Sequence, residues 1–251
     1  MNNTLTNGLG LLSLVANTGR AHGVTELANM AELPKSHVHR LLQSLVEARY
    51  LEKDHQSRYS ISVGALRLGR ELLRNIPVRR MALPEMMQLV GEVKAALSLA
   101  APFGHEAISI AHITPDGNLR GSMESLGSVL SAHASASGKL FLAYLPEDEV
   151  GEVLAQLDYS GGGPNAHRNA ESLKAELPQI RARGYSINNL ESGANMNSFA
   201  VPIHNQDGKV FAALGASAQA NELSLKRIAE LAPILLESVQ RIESTIKEEN
   251  P

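Results

Sequence analysis

Leu33-Pro34-Lys35-Ser36-His37-Val38-His39-Arg40-Leu41-Leu42-Gln43-Ser44-Leu45 carries two patterns at once. Val38, Leu41, Leu42, Leu45 and the following Val46 fall at i, i+3, i+4, i+7 and i+8, the spacing that buries one helical face. The opposite face holds Lys35, Ser36, His39, Arg40 and Gln43. Pro34 suits a first helical turn, where its missing N–H would have had no partner. A helix that hides one side and offers donors from its first residues reads as the base-contacting helix of a helix-turn-helix, which implies a regulator.

The flanking sequence fits that reading. Leu5, Leu9, Leu12 and Ala16 predict a helix over 5–17 that stops at Thr18-Gly19. Thr25 is placed to N-cap a second helix, with Glu26 at the positive end of its dipole, and Glu32-Leu33 is a short turn. Tyr50-Leu51-Glu52-Lys53 and Arg58-Tyr59-Ser60-Ile61, joined by Asp54-His55-Gln56-Ser57, predict a wing. Its Lys53 and Arg58 either reach phosphate or a minor groove, or belong to a hairpin that only caps the domain. Residues 63–76 set Ala65, Leu68, Leu72 and Ile76 on one side and Arg67, Arg70, Glu71 and Arg74 on the other. This is an amphipathic linker whose apolar side suits a partner helix, so dimerisation is expected. Arg79-Arg80 extend the basic stripe and either neutralise phosphates or solvate the linker.

Composition sets the bounds. The 251 residues suffice for two domains. No run approaches the roughly 18 to 20 apolar residues of a membrane span, and the start, Met1-Asn2-Asn3-Thr4, lacks the basic region of a signal peptide. There is no cysteine, so disulfide and thiolate chemistry are excluded; a cytoplasmic protein is expected. The net charge of −3 is unevenly spread: residues 1–80 carry 11 Lys and Arg against 6 Asp and Glu, or +5, leaving −8 on the remainder. A basic head sits on an acidic body.

Beyond the linker the pattern predicts a helix over 78–97 and strands at 99–102 and 107–113. Helices follow around 137–145, from 146 and over 170–183, then strands at 198–204 and 210–217 about the turn Asn205-Gln206-Asp207-Gly208, and a long last helix. Strands and helices without regular alternation favour an α+β domain. Chemical motifs are missing. A phosphate-binding loop ending at Gly138-Lys139 would need glycine at His133 and a hydroxyl at Leu140, and a Ser-x-x-Lys pair would need serine at Ala136. His37 and His39 point to different sides of their helix and cannot share a metal; His133 is expected to pack or to bond backbone. No catalytic residue, metal or cofactor is expected.

The order helix-turn-helix, wing and linker, with Thr25-Glu26-Leu27-Ala28 and the 33–42 stretch as written, resembles the IclR family of bacterial transcriptional regulators. Two later stretches are similar to that family as well: His133-Ala134-Ser135-Ala136-Ser137-Gly138-Lys139, and Gly184-Tyr185-Ser186-Ile187-Asn188-Asn189 with Glu191 and Ser198 to Ile203. The resemblance implies a winged helix-turn-helix over 1–62, a linker helix over 63–77 and a GAF-like effector-binding domain over 78–251. It implies contact with double-stranded operator DNA by Lys35, Ser36, His37, His39, Arg40, Gln43 and Arg58, although the family places arginine where this chain has Asn7. It also implies an effector pocket lined by Ala136, Ser137, Asn188, Ser198, Gly215 and Ser217, with Leu119 and Ser122 in its lid. There the backbone N–H groups of Ala136 and Ser137 can meet an anion at a helix start. Where the family has an acidic residue, a serine and a bulkier apolar residue, this chain has Asn188, Gly215 and Ser122. The pocket should be roomier and kinder to a carboxylate. A homodimer or tetramer that represses a catabolic operon until a small organic acid, such as a sugar acid, binds is the expectation. An activator of the same architecture, an enzyme with a DNA-binding head, or a DNA-binding protein without a ligand are the alternatives.

Overall fold

The computed structural model describes residues 3–116 and 125–249, and they divide into two compact units, Met1–Asn75 and Ile76–Pro251. In the first, α1 (Thr4–Thr18), α2 (Val24–Met30) and α3 (Lys35–Glu47) close on a core of Leu11, Val15, Leu27, Val38, Leu41 and Leu42. The helical periodicity of the sequence thus becomes the packing surface. Two helix starts differ from expectation. Thr25 lies inside α2, which begins from extended Gly23 without a side-chain cap, because His22–Gly23 forms a short strand, β1, that delivers the chain into the helix. Pro34 stands just before α3 with φ −58 and ψ 134, an extended residue outside the first turn.

The wing consists of β2 (Leu51–Lys53) and β3 (Arg58–Ile61), and β1 joins them in a sheet of order β1-β3-β2 with His22 opposite Tyr59. A single-turn 3-10 helix (Val63–Ala65) leads to α4 (Leu66–Asn75), none of whose residues is buried. Leu66, Leu68 and Leu72 are exposed there.

The second unit opens with α5 (Pro77–Val93) and continues through β4 (Ala96–Phe103), β5 (Glu106–Ile113), β6 (Val129–Leu130), α6 (Ala136–Ala143), α7 (Glu147–Gln156) and α8 (Ala170–Arg183). It ends with β7 (Ser186–Asn189), β8 (Met196–His204), β9 (Val210–Gln219) and α9 (Leu225–Glu249). The six strands pair antiparallel in the order β6-β5-β4-β9-β8-β7, so the domain is α+β. The expected helix over 78–97 stops at Val93, where Lys94 turns left-handed at φ 53. Leu97 lies on β4 opposite Ile113 and Ala216. β6 and β7 had no counterpart in the sequence reading.

Alternation along the strands gives the sheet two faces. One carries Leu97, Leu99, Phe199, Val201 and Leu214 into a core closed by α5 and α9 through Met86, Leu89, Leu235 and Ile242. Against the other, a smaller core joins Leu140, Leu154, Leu173 and Ile180 of α6, α7 and α8 to Ala200 and Ala213. That second layer covers only part of its face.

Leu42 is fully buried in the first unit's own core. Leu42→Ala should cost that unit about 2–5 kcal/mol in chemical denaturation while the transition of the second unit stays in place.

Candidate functional site

The part of the sheet that α6, α7 and α8 leave uncovered is the floor of a cavity of about 230 Å³. Its floor is built in rows across the strands. Asn188, Ser198 and Ser217 are directly paired neighbours on β7, β8 and β9; in the next row Gly215 stands opposite Ser98, and Ser98 opposite His112. A Cβ on Gly215 would come within 3.1 Å of the Ser98 hydroxyl, so the missing side chain on β9 is what admits the serine on β4.

β5 contributes Ser109 and His112, whose separation of three would normally put them on opposite faces. A bulge reconciles them: Leu99 pairs with Ala111 and Ala100 with Ser109, leaving Ile110 as the extra residue. Ser109 and His112 therefore both line the cavity. The Ile110 carbonyl accepts the Arg79 Nε–H at 2.8 Å, which ties Arg79 to the bulge and takes it out of the basic stripe read from the sequence. Burial holds the His112 imidazole below its ordinary pKa, so it is neutral at physiological pH.

α6 supplies one wall. Ser135 caps it by accepting the Gly138 N–H at 3.0 Å, and a Cβ on Gly138 would strike the Ser131 carbonyl at 2.3 Å. Glycine is what allows the helix start to sit so close. The Ala136 and Ser137 N–H groups and the hydroxyl of the buried Ser137 have no partner among the described residues. Free N–H groups at a helix start favour an anion. Ala136, Ser137, Asn188, Ser198, Gly215 and Ser217 thus meet in one cavity; Leu119 and Ser122 lie outside the described residues. Ser98, Ser109, His112 and Ser192 were not foreseen. The bulge brings Ser109 and His112 there, the turn after β7 brings Ser192, and Ser98 enters through its pairing with Gly215; none of these leaves a mark in residue spacing.

Behind α6 lies a buried charge cluster. The Lys139 ammonium, wholly inaccessible, lies 2.8 Å from Glu176 and 2.5 Å from Glu191; Glu176 also meets His167 at 2.8 Å and Arg183 at 3.1 Å. His167, Glu176 and Glu191 offer donor atoms close enough for a metal, but Lys139 already supplies the cation. Burial opposes ionisation of Glu176, yet the His167 hydrogen bond and the Lys139 charge outweigh it and hold its carboxyl at about 2. Burial pushes Glu191 up, against the pull of Lys139. His133 bonds the Gly161 carbonyl at 3.2 Å and Ser131 at 2.9 Å, the backbone role expected of it.

In the first unit Lys35, Ser36, His39, Arg40 and Gln43 are exposed along α3. His37 is half-buried instead, with Nε2 3.3 Å from the Asn7 carboxamide and Nδ1 3.2 Å from Arg40. It steers Arg40 from between α1 and α3. Arg58 is exposed on the wing, where its Nε donates to Asp54 at 2.9 Å. Asp54 also accepts the backbone N–H groups of Arg58 and Gln56, which shape the turn and hold its carboxyl below the usual range.

A winged helix-turn-helix joined to an α+β unit with a polar cavity defines a class, the DNA-binding regulators that carry a ligand-binding domain. Comparison with known proteins narrows it. The family models "IclR helix-turn-helix domain" and "Bacterial transcriptional regulator IclR C-terminal" match residues 4–55 and 70–244, and the chain belongs to the IclR family of transcriptional regulators. It is similar to the HTH-type transcriptional regulator KdgR of Escherichia coli K12, with 28% identity over 90% of this chain and 86% of that one. To the transcriptional repressor IclR of the same organism the identity is 28% over 95% and 88%. The structure resembles that of an IclR family transcriptional regulator from Brucella abortus, with a TM-score of 0.82, 28% identity and coverage of 98% and 92%.

Lys139→Met leaves the buried Glu191 without its cation and Glu176 with only Arg183 and His167, and should destabilise the second unit by about 3–5 kcal/mol. Glu176, at about 2 in the fold against 4.5 ordinarily, lends stability that is fully present above its ordinary value and is lost as pH falls toward 2. Denaturation midpoints followed down that range should decline in the native protein and decline less steeply in Glu176→Gln.

Proposed function

We propose that this protein is a dimer-based cytoplasmic repressor of a catabolic operon, which holds a pseudo-palindromic operator through two copies of α3 and releases it when a small organic acid, such as a sugar acid, binds the second unit. The observation that carries the reading is the convergence of six residues from four separate segments on one cavity beside the free N–H groups of α6. Repression is favoured over activation by the similarity to the transcriptional repressor IclR of Escherichia coli K12.

On the DNA side, Ser36, His39, Arg40 and Gln43 meet base edges near the start of the recognition helix, Lys35 and Arg58 hold phosphates, and His37 sets the Arg40 side chain. The exposed Leu68 and Leu72 of α4 suit the same helix of a second copy. No metal, cofactor or catalysis enters this cycle. Release requires that the acid bind two arrangements of the protein with different affinity. Arg79 offers a route for that difference: it grips the bulge that brings Ser109 and His112 into the cavity, and it lies four residues beyond the end of α4.

Binding to labelled DNA from upstream of the protein's own gene, measured against scrambled DNA across a salt series, tests the first half. Tight, sequence-dependent binding that weakens steeply with salt is expected, with Arg40→Ala costing about 1–3 kcal/mol of it; equal, weak binding to both DNAs would overturn the operator reading. Ser137→Asp should bind operator as before yet give no response to the acid, because the new charge occupies the anion position. Arg79→Ala should bind both acid and operator but lose the effect of one on the other; full retention of that effect would remove Arg79 from the route.

A further inference from the structure

The direction of two hydroxyl hydrogens in the cavity is set by Asn188. Its Oδ1 accepts the N–H groups of Glu191 at 2.7 Å and Ser192 at 3.1 Å, which fixes the orientation of the carboxamide. Nδ2 must then donate, and it does so to the hydroxyl oxygens of Ser192 at 2.7 Å and Ser198 at 3.0 Å. Each hydroxyl keeps its own hydrogen, and no described protein group takes either one. Both serines line the cavity, so both are prepared as donors to whatever enters. A carboxylate in place of the Asn188 amide would reverse this: it would accept from the two hydroxyls and add a negative charge.

The floor beyond offers a different chemistry. Ser98, Ser109 and the neutral His112 lie on β4 and β5; the Ser98 hydroxyl can donate and accept, the Ser109 hydroxyl, which donates to the Ala111 carbonyl at 3.5 Å, can accept, and the imidazole has one nitrogen for each role. His112 has no side-chain partner among the described residues. Such groups match hydroxyls, which also do both.

We infer that the ligand is a polyhydroxylated carboxylate of the aldonate type, its carboxylate taken by the Ser192 and Ser198 hydroxyls beside the start of α6 and its hydroxylated chain laid along Ser98, Ser109 and His112. Asn188 is a positioning residue that selects the anion without touching it. The inference rests on the reading of the cavity as the site of a small organic acid, and it adds to that reading the donors, the second end and the device that chooses charge.

Calorimetric titration of the full-length protein with matched probes tests it: gluconate and glycerate as the hydroxylated acids, hexanoate and propionate as the same acids without hydroxyls, glucitol and glycerol as the same chains without charge. At least one hydroxylated acid should bind about tenfold or more tightly than both of its matched partners, two or more charge-assisted hydrogen bonds being at stake. Asn188→Asp, which keeps the acceptor for the loop N–H groups, should lose about tenfold or more for the acid while the neutral polyol loses far less, and the retained polyol binding reports an intact cavity. Ser192→Ala should lose a smaller share of the acid affinity. Equal affinity for an acid without hydroxyls would overturn the hydroxylated end while leaving the organic-acid reading intact. Unaltered acid binding in Asn188→Asp would overturn the role of Asn188. If no acid bound at all, the organic-acid reading itself would fall, and this inference with it.

Discussion

Side chains on a strand alternate between the two faces of its sheet, and in the second unit each face has been given a different task. The face toward α5 and α9 is filled with Leu97, Leu99, Phe199 and Leu214 and holds the unit together. The opposite face carries Asn188, Ser198, Ser217, Ser98 and a glycine, side chains too small and too polar to close a core. Because α6, α7 and α8 cover only part of that face, a cavity remains. The apolar face makes the polar one affordable: a floor of hydroxyls adds little hydrophobic stabilisation, and the buried area on the reverse side supplies it.

Alternation alone would still have misplaced two lining residues. Ser109 and His112 are three apart, and in a regular strand one of them would enter the apolar core, where a polar side chain without a partner costs about 1–3 kcal/mol. The extra residue Ile110 changes the phase of β5 between them. The bulge leaves the Ile110 carbonyl to be satisfied, and Arg79 satisfies it. One local irregularity thus connects the composition of the cavity to the first turn of α5.

The charge cluster around Lys139 performs a separate service. Lys139 belongs to α6, Glu176 to α8 and Glu191 to the turn after β7, so one buried ammonium fastens two segments that border the cavity, the α6 start and the turn, to α8 behind them. In that turn Leu190 holds φ +58 and the Asn197 side chain accepts its N–H. A non-glycine residue in that region stores about 1 kcal/mol or more, and the Asn188 and Glu191 contacts beside it keep the turn in place. The residue that closes the turn is also the one that orients two hydroxyls in the cavity, so the shape of the loop and the polarity of the site are set together.

The winged helix-turn-helix was legible because its signals are local. Thirteen residues of helical period define α3, and a polar turn between two β-rich runs defines the wing; both are made by neighbours in sequence. The basic head and acidic body were equally plain from the count of charges. The family resemblance added six positions that the structure gathers around one cavity, which spacing alone would not have joined. What sequence did not hold was contact between distant segments: the β1 strand that moves the start of α2, the left-handed Lys94 that ends α5 early, the bulge at Ile110, the lysine between two glutamates. Sequence determined which residues could form each element and carried the chemistry of the donors. Only the tertiary structure decided which donors face one another, because register, bulge and loop closure depend on pairings between segments far apart in the chain.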